Sequence, residues 1–525
     1  MQNSKKQFIV AALFLILAFT ITVLTCLTET ARSSGDAILN LVSIRTQWFK
    51  FRQILTILGI YLYGRFFLNC IVKSITDIVQ RLLAFPIGIG IWCVLSWTIL
   101  FLNIPYNTIF TSLGLVIILL ITFFHNRKEM SQTKIGNWLI EGMFALGLAC
   151  LFVSGLFFIH LTEDSYYFIS QYAEILTNTE ALDPSYCSFY MSSTGIAGSL
   201  VNSLAIICGF ETIYGIHHMI MFSFLGIFFY SVFEICADKS KKTSILVPTI
   251  MTLLLIITPA VGITLGLELS SSYFMVYLYL YIYLMEKGQN LRVKSDYVII
   301  LAIIVCMIVL TRQEGSVLIC FFAISLSALN YSNSEICHMS LWPCFIMQGT
   351  YLLKLILITG IGSDKYVLMN WTSFSSILAA NILAVIYVVF IRKRKFLCVQ
   401  KHLHISIFVG LCSALVILAI VFPDKMQANL SAELHNIVDE YWGYSFWMVL
   451  LMLLYKVMSD GTIGHLNTLW INYLLFYFVL CAGRTYNLRE GITDSYARMM
   501  VSSIPIAYYS FAPKLLNMKS CKEKT

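Results

Sequence analysis

Charged side chains are scarce in this chain. Of its 525 residues only 12% are Asp, Glu, Lys or Arg, whereas 59% are hydrophobic and the mean hydropathy is +0.81. This balance excludes an ordinary soluble globular protein. Polar stretches long enough for a large soluble domain are also missing. The composition therefore predicts a polytopic integral membrane protein of the all-α fold class.

The sequence motifs of several soluble chemistries are absent as well. There is no GxxxxGKS/T motif and no GxGxxG motif opening a helix after a strand, which argues against a nucleotide-driven pump and against a soluble nucleotide-sugar domain. The 15 cysteines form no CxxC pair and no Cys/His cluster at metal-ligand spacing, and we interpret them as small core residues. The net charge of +8 reflects basic loops on one membrane face and does not imply a nucleic-acid partner.

Apolar runs of about 20 residues recur along the whole chain, and each can cross roughly 30 Å of hydrocarbon as a helix. We predict about 16 spans, at residues 8–27, 54–72, 82–102, 108–124, 138–160, 213–236, 244–262, 269–285, 297–311, 315–331, 341–360, 374–391, 404–422, 444–458, 467–482 and 499–513. The first four form an N-terminal transmembrane module, residues 1–137. Residues 138–513 form the transmembrane core, and residues 514–525 form a basic cytoplasmic tail.

Basic clusters set the orientation of these spans, because Lys and Arg are enriched in cytoplasmic loops. The clusters predicted to be cytoplasmic lie at 127–134, 239–242, 287–294, 392–395 and the C-terminus. The apolar run at 193–210 would place Lys239–Lys242 on the wrong face if it crossed the membrane, so we interpret it as re-entrant or interfacial. Residues 28–53 are the exception to the pattern, since they face outward while carrying four basic residues.

The predicted outer loop, residues 162–212, opens with two adjacent carboxylates, Glu163 and Asp164. A helical stripe follows them, made of Tyr166, Ile169, Tyr172, Ala173 and Leu176. The stripe predicts a helix lying in the membrane interface with tyrosines at headgroup level, which holds the carboxylates at the membrane boundary. The plainer alternative is that both carboxylates only face water at a helix end.

Further polar residues fall on the same predicted face. Arg312 and Glu314 lie in "VLTRQEGSV", a connection too short to be a free loop, and "AGRTYNLREGITDSYARMMVSSIPIAYY" carries Arg484, Arg489 and Arg498. A carboxylate can act as a general base on a hydroxyl. Arginine binds phosphate oxygens bidentately and stabilises a phosphate leaving group. Alternatives are an Arg312–Glu314 ion pair, which is compatible with phosphate binding, and arginines that anchor the chain at the interface.

Together these stretches resemble the GT-C glycosyltransferases, which include protein mannosyltransferases and the lipid A aminoarabinose transferase. The resemblance consists of the carboxylate pair, "DSYYFISQYAEIL", the re-entrant run ending in Gly-Phe, the "TRQEG" corner and "DSYARMMVSSIP". It covers roughly residues 138–513 in order. Two departures are Gln313, where the family usually has Pro, and the four spans that precede the matching part.

The resemblance implies transfer of a sugar from a polyprenyl-phosphate carrier to a glycan, lipid or protein acceptor on the non-cytoplasmic face of the cell membrane, in cell-envelope or surface glycan synthesis. Asp164, helped by Glu163, would be catalytic. The donor phosphate would be bound by Arg312, Arg484 and Arg498. Substrate-lining residues would be Tyr166, Tyr167, His217, His218, Glu314, Asp494 and Tyr496. A divalent cation, Mg²⁺ or Mn²⁺, could assist the phosphate, although no ligand spacing demands one, and His217 and His218 point to different sides of a helix.

Two other functions remain open at this point. Arg65 and Lys354 fall inside predicted spans, where charges are costly and usually functional, and they favour a flippase or transporter of lipid-linked oligosaccharide. No internal repeat supports that alternative. A polysaccharide polymerase or ligase would use the same lipid-linked sugars at the outer face.

Overall fold

The protein is all-α in the part of the chain that the computed structural model describes. The described residues are 8, 11–16, 18–20, 44–71, 75–130, 138–157, 169–182, 195–208, 214–239, 245–266, 268–288, 295–312, 314–329, 334–359, 371–387, 397–435, 444–460, 465–482 and 500–520. Of these, 93% are helical and none lies in a strand. The predicted fold class is therefore confirmed for this part of the chain.

Among the described residues, nineteen helices follow a short helical stretch within residues 11–20. They are α1 Ile44–Ile71, α2 Asp77–Phe101, α3 Thr108–Met130, α4 Trp138–Phe157, α5 Gln171–Thr179, α6 Ala197–Ile207, α7 Tyr214–Lys239, α8 Leu246–Ile257, α9 Pro259–Gly266, α10 Ser270–Gly288, α11 Ser295–Thr311, α12 Gly315–Leu329, α13 Ser334–Thr359, α14 Trp371–Ile386, α15 Leu397–Val421, α16 Pro423–His435, α17 Tyr444–Asp460, α18 His465–Ala482 and α19 Ser503–Ser520.

Three stretches among the described residues are long and apolar enough to cross a membrane: Asp77–Phe101, Ile216–Cys236 and Ser340–Ile358. Several shorter apolar helices accompany them. Large apolar side chains on the outside of the bundle are widely exposed, for example Ile109 at 73% and Ile420 at 74%, as expected of surfaces that face lipid. The helices are thus compatible with a membrane protein, while the count of about 16 spans stays a prediction.

Helix α10 lies at the centre of the bundle and is buried along almost its whole length. Five of its tyrosines are at most 1% exposed, and each hydroxyl has a hydrogen-bond partner. The pairs are Tyr273 with Glu268, Tyr277 with the Pro86 carbonyl, Tyr279 with Ser231, Tyr281 with Ser340, and Tyr283 with Glu234. These bonds join α10 to α2, α7 and α13.

The arginine inside a predicted span, Arg65, belongs to a buried ion network. Its Nε donates to Glu141 Oε1 at 3.1 Å, and its Nη2 pairs with Asp77. Arg81 donates to the same Glu141 oxygen at 2.9 Å and lies 2.6 Å from Asp77. The two arginines are therefore neutralised by two carboxylates from α2 and α4, which removes one of the two arguments for a charged path across the bilayer.

The second intramembrane charge, Lys354 of α13, also has local partners. Its Nζ donates to the Phe101 carbonyl oxygen at 3.2 Å and to Asn103 Oδ1 at 2.5 Å. The lysine thus binds the C-terminal end of α2, where unpaired carbonyls and the helix dipole favour a cation. This bond accounts for its charge without a transport role.

Helices of the predicted N-terminal module contact the predicted core. Helix α2 packs against α7 and α11. A Cβ atom on Gly90 of α2 would approach the Ile303 side chain of α11 to 2.6 Å. The boundary at residue 137 itself stays a prediction.

A glycine contact holds α1 against α2. A Cβ atom on Gly64 would overlap the carbonyl oxygen of Ala84, and one on Gly88 would come within 2.6 Å of the carbonyl oxygen of Ile60. Small residues at a helix interface permit this close backbone approach, which drives helix association in membranes.

We therefore expect Gly64→Ala to destabilise the protein by about 1–3 kcal/mol, because the backbones must move apart to admit the methyl group. The matched control is Gly59→Ala on the same helix, where an added Cβ meets no atom within 4 Å. Unfolding of both purified variants in detergent would be followed by circular dichroism during SDS titration. Equal stability of the two variants would contradict this interpretation of the α1–α2 contact.

Candidate functional site

The "TRQEG" corner between α11 and α12 is a tight turn that pairs Arg312 with Glu314. Gly315 N donates to the Arg312 carbonyl oxygen at 3.0 Å. The Arg312 Nε and Nη2 atoms lie 2.9 Å and 2.8 Å from Glu314 Oε1, and the Tyr477 hydroxyl of α18 donates to the same oxygen at 3.4 Å. The ion pair that the sequence left as an alternative is therefore present, and the side chains are 11% and 23% exposed.

This pairing aims the remaining edge of the guanidinium at α10. The Arg312 Nη1 atom lies 3.5 Å from the Ser270 hydroxyl, at the first residue of that helix. Backbone N–H groups and the helix dipole make a helix N-terminus favourable for an anion. The Arg312 fork and the start of α10 thus form one region suited to a phosphate group.

The run interpreted as re-entrant begins at the same corner. Gly195 has φ of +71°, and a Cβ atom there would overlap the Leu310 and Thr311 carbonyl oxygens, so only glycine fits. Ile196 N donates to the Leu310 carbonyl oxygen at 2.8 Å. Helix α6 follows; with 11 residues it is about 16 Å long, too short to cross the hydrocarbon.

The stripe predicted on α5 is confirmed for its described members, since Ile169, Tyr172, Ala173 and Leu176 are buried. The stripe packs against α6, however, and not against lipid headgroups: a Cβ on Gly198 of α6 would contact the Ile169 side chain at 3.1 Å. Ser170, next to Ile169, is also buried. The stripe differs from the expectation because α6 covers the face that hydropathy alone assigns to the membrane surface.

A buried carboxylate near Arg312 was missed by the sequence analysis. Glu268, in the connection between α9 and α10, is 4% exposed. The Tyr273 hydroxyl donates to its Oε1 at 2.6 Å, and Asn202 Nδ2 of α6 donates to its Oε2 at 3.2 Å. The His217 ring of α7 packs edge-to-face on Tyr273, with centroids 5.6 Å apart. We call Asn202, His217, Glu268 and Tyr273 the Glu268 pocket.

Burial raises the pKa of Glu268 to about 7, more than the hydrogen bonds from Tyr273 and Asn202 lower it. Burial therefore favours the protonated form of this carboxyl more than water does. One residue separates it from Ser270, so it lies beside the Arg312 region at the start of α10. The start of α10 is thus flanked by Arg312, which contacts Ser270, and by Glu268, which precedes the helix in the chain.

The two predicted substrate-lining histidines face different neighbours, as adjacent helix positions should. The His217 ring contacts Tyr273, whereas the His218 ring contacts Phe222 with centroids 5.9 Å apart. His217 also lies beside the backbone of Thr264 and Leu265. Only His217 therefore belongs to the Glu268 pocket.

The remaining predicted site residues lie outside the described residues. They are Glu163, Asp164, Tyr166, Tyr167, Arg484, Asp494, Tyr496 and Arg498. Of the predicted set, Arg312 and Glu314 form an ion pair. His217 is connected to them only through α10, since it contacts Tyr273 of that helix and Arg312 contacts Ser270. A single carboxylate in "GLELSSS", between two apolar stretches on the predicted outer face, was the signal that could have revealed Glu268.

The chain matches no known protein family model, and neither the curated proteins nor the solved structures include one with detectable similarity to it.

We expect the stability of the protein to depend on pH through Glu268. A carboxyl whose pKa is higher in the folded state than its ordinary 4.5 binds its proton more tightly when folded, so stability falls as pH rises from about 4.5 to about 7. Glu268→Gln removes this cost, worth about 3 kcal/mol. The variant should unfold at a higher temperature than wild type at pH 8, with the difference vanishing near pH 4.5.

The control is Glu174→Gln, which alters an exposed carboxylate of α5. Thermal unfolding of the three proteins in detergent at both pH values would check the sign. A difference between Glu268→Gln and wild type that is the same at both pH values would contradict the assignment.

Proposed function

We propose that the protein is a membrane glycosyltransferase that moves a sugar from a polyprenyl-phosphate carrier to a hydroxyl-bearing acceptor at the non-cytoplasmic membrane boundary. The observation that carries this proposal is the Arg312 fork, which Glu314 orients toward the start of α10, two residues after the buried Glu268 carboxylate. A sugar phosphate needs a cation to bind its phosphate and hydrogen-bond acceptors to bind its sugar hydroxyls, and this corner offers both.

The orientation of the Arg312 side chain supports a role in phosphate binding. Glu314 accepts from the Nε and Nη2 atoms, which leaves the guanidinium plane fixed and its Nη1 edge toward Ser270. A pre-oriented arginine loses little conformational freedom when it binds an oxyanion and stabilises the charge that develops on it. The ion pair and the phosphate-binding role are therefore compatible, with Glu314 as the residue that positions Arg312.

The reaction we propose is a direct displacement at the anomeric carbon. Asp164, helped by Glu163, accepts the proton of the acceptor hydroxyl while its oxygen forms the new bond to carbon. The bond between that carbon and the phosphate oxygen breaks, and the phosphate departs with the electron pair, held by Arg312, Arg484 and Arg498. Tyr166, Tyr167, Asp494 and Tyr496 line the substrates. A divalent cation, Mg²⁺ or Mn²⁺, would add to the charge on the phosphate side.

A flippase of lipid-linked oligosaccharide is the second candidate function, since it would bind the same lipid-phosphate head group. Its main support was Arg65 and Lys354, and both have the local partners described above. A polymerase or ligase is a variant of the first proposal that differs in the acceptor, which is then a growing glycan.

The test is transfer of radiolabelled sugar from a panel of polyprenyl-phosphate sugars in reconstituted proteoliposomes. Asp164→Asn or Glu163→Gln should lower the turnover number by about 10²-fold or more, the usual contribution of a general base. Arg312→Lys keeps the charge but not the fork, so we expect kcat/KM to fall about tenfold. Asp424→Asn, at an exposed carboxylate of α16, is the matched control and should transfer normally.

Two results would overturn the proposal in different ways. Full transfer by both acidic variants would remove Glu163 and Asp164 from the mechanism. Absence of transfer by wild type with every donor, together with protein-dependent movement of a lipid-linked sugar across the bilayer, would show that the protein is a flippase.

A further inference from the structure

The Glu268 pocket has a surplus of hydrogen-bond acceptors that the proposed transfer reaction does not use. Both Glu268 oxygens already accept one bond, from Tyr273 and from Asn202. The other side of the Asn202 amide, Oδ1, is buried and has no hydrogen-bond partner among the described residues. The buried His217 ring interacts with the Thr264 and Leu265 backbone, and a neutral ring that donates there keeps its other nitrogen as an acceptor.

Such groups destabilise the folded protein when they have no hydrogen-bond partner. A buried polar atom without a partner costs about 1–3 kcal/mol. The Asn202 oxygen and one histidine nitrogen are acceptors, and the second histidine nitrogen is a donor when the ring is neutral. A ligand that presents several hydroxyl groups matches this set, because each hydroxyl both donates and accepts.

The charge of the pocket determines which part of a ligand enters it. The Glu268 carboxylate repels a phosphate, whereas Arg312 attracts one. Ser270 contacts Arg312 and is separated from Glu268 by one residue. A sugar phosphate is therefore expected to bind in one orientation, with its phosphate at Arg312 and its sugar hydroxyls at Glu268.

Two neighbouring helices hold the pocket in a fixed position relative to Arg312. Asn202 lies on α6, which is tied to the corner by the Ile196 N to Leu310 O bond of 2.8 Å. Trp92 of α2 donates to the Leu200 carbonyl oxygen of the same helix at 2.7 Å. A rigid arrangement of acceptors is what discrimination between sugars requires.

We propose that the Glu268 pocket is a binding subsite for the hydroxyl groups of a monosaccharide. Glu268 and Asn202 Oδ1 accept hydrogen bonds from neighbouring hydroxyls, and His217 contacts a third. The proposal rests on the proposed function only for the identity of the molecule that carries the sugar. A sugar that lacks one of these hydroxyls leaves a buried acceptor unpaired, so the subsite selects among sugars.

The experiment uses the full chain in nanodiscs, free of detergents with sugar headgroups. The probes are methyl glycosides of glucose, mannose, galactose and N-acetylglucosamine, each with its monodeoxy analogues, added at increasing concentration during thermal unfolding. At least one methyl glycoside should raise the unfolding temperature saturably. One of its deoxy analogues should bind at least about tenfold more weakly.

The variant that tests the pocket is Glu268→Gln, which keeps the shape of the side chain, and the matched control is Glu174→Gln. We expect the dissociation constant of the stabilising glycoside to rise about tenfold or more in Glu268→Gln and to stay unchanged in the control. The absence of any stabilising glycoside for wild type would overturn the proposal. Equal affinity in Glu268→Gln and wild type would overturn it as well.

These outcomes are distinguishable from failure of the proposed function. Glycoside binding that depends on Glu268, without transfer from any donor, would retain the subsite and reject the transferase. Transfer by wild type, with a donor KM unchanged in Glu268→Gln, would retain the transferase and reject the subsite.

Discussion

The structure depends on hydrogen bonds made by the buried tyrosines of α10. An apolar bundle in lipid offers no water to a buried hydroxyl, and hydrophobic burial alone does not hold helices together there. Tyrosine meets both requirements, because its ring packs in the core while its hydroxyl forms a hydrogen bond to a group on another helix. The helix thereby fixes where α2, α7 and α13 lie, and its first turn places Glu268 and Ser270 beside Arg312.

The two ends of the bundle have different polar chemistry. At one end, the starts of α2 and α4 and the end of α1 share a compact ion network that is neutral overall. At the other end, α6, α7, the α11–α12 corner and the connection before α10 supply an asparagine, a histidine, an arginine and two carboxylates. The first arrangement satisfies charges within the protein. The second leaves the buried Asn202 Oδ1 without a hydrogen-bond partner among the described residues.

Hydropathy predicted the position of most helices but not their limits. The run predicted at 269–285 corresponds to α10, and that at 315–331 to α12. Helix α1 begins at Ile44, ten residues before the predicted span, because polar residues extend a helix without adding hydropathy. The run at 244–262 divides at Thr258, where Pro259 cannot donate a backbone hydrogen bond. Helix α16 lies between the predicted spans 404–422 and 444–458, where no helix was predicted, since an exposed polar helix has no hydropathy signal.

The candidate site was predictable where its partners are close in sequence. Arg312 and Glu314 are two residues apart, and the short connection alone implied that their side chains face the protein. Glu268 was not predictable in this way, because a single carboxylate in a turn is usually solvated, and its partner Asn202 comes from a helix 66 residues earlier. The burial that makes Glu268 unusual is a property of the assembled bundle.

The Arg65 network also constrains how the chain is assembled during synthesis. Helices α1 and α2 precede α4 in the chain and bring two arginines with one carboxylate, Asp77, so this pair alone holds one positive charge of the network without a counterion. Glu141 arrives only with α4, roughly 60 residues after Arg81. The charges of the two arginines are therefore balanced only once α4 is in place, so the packing of α1 and α2 at this end depends on a helix that follows them in the chain.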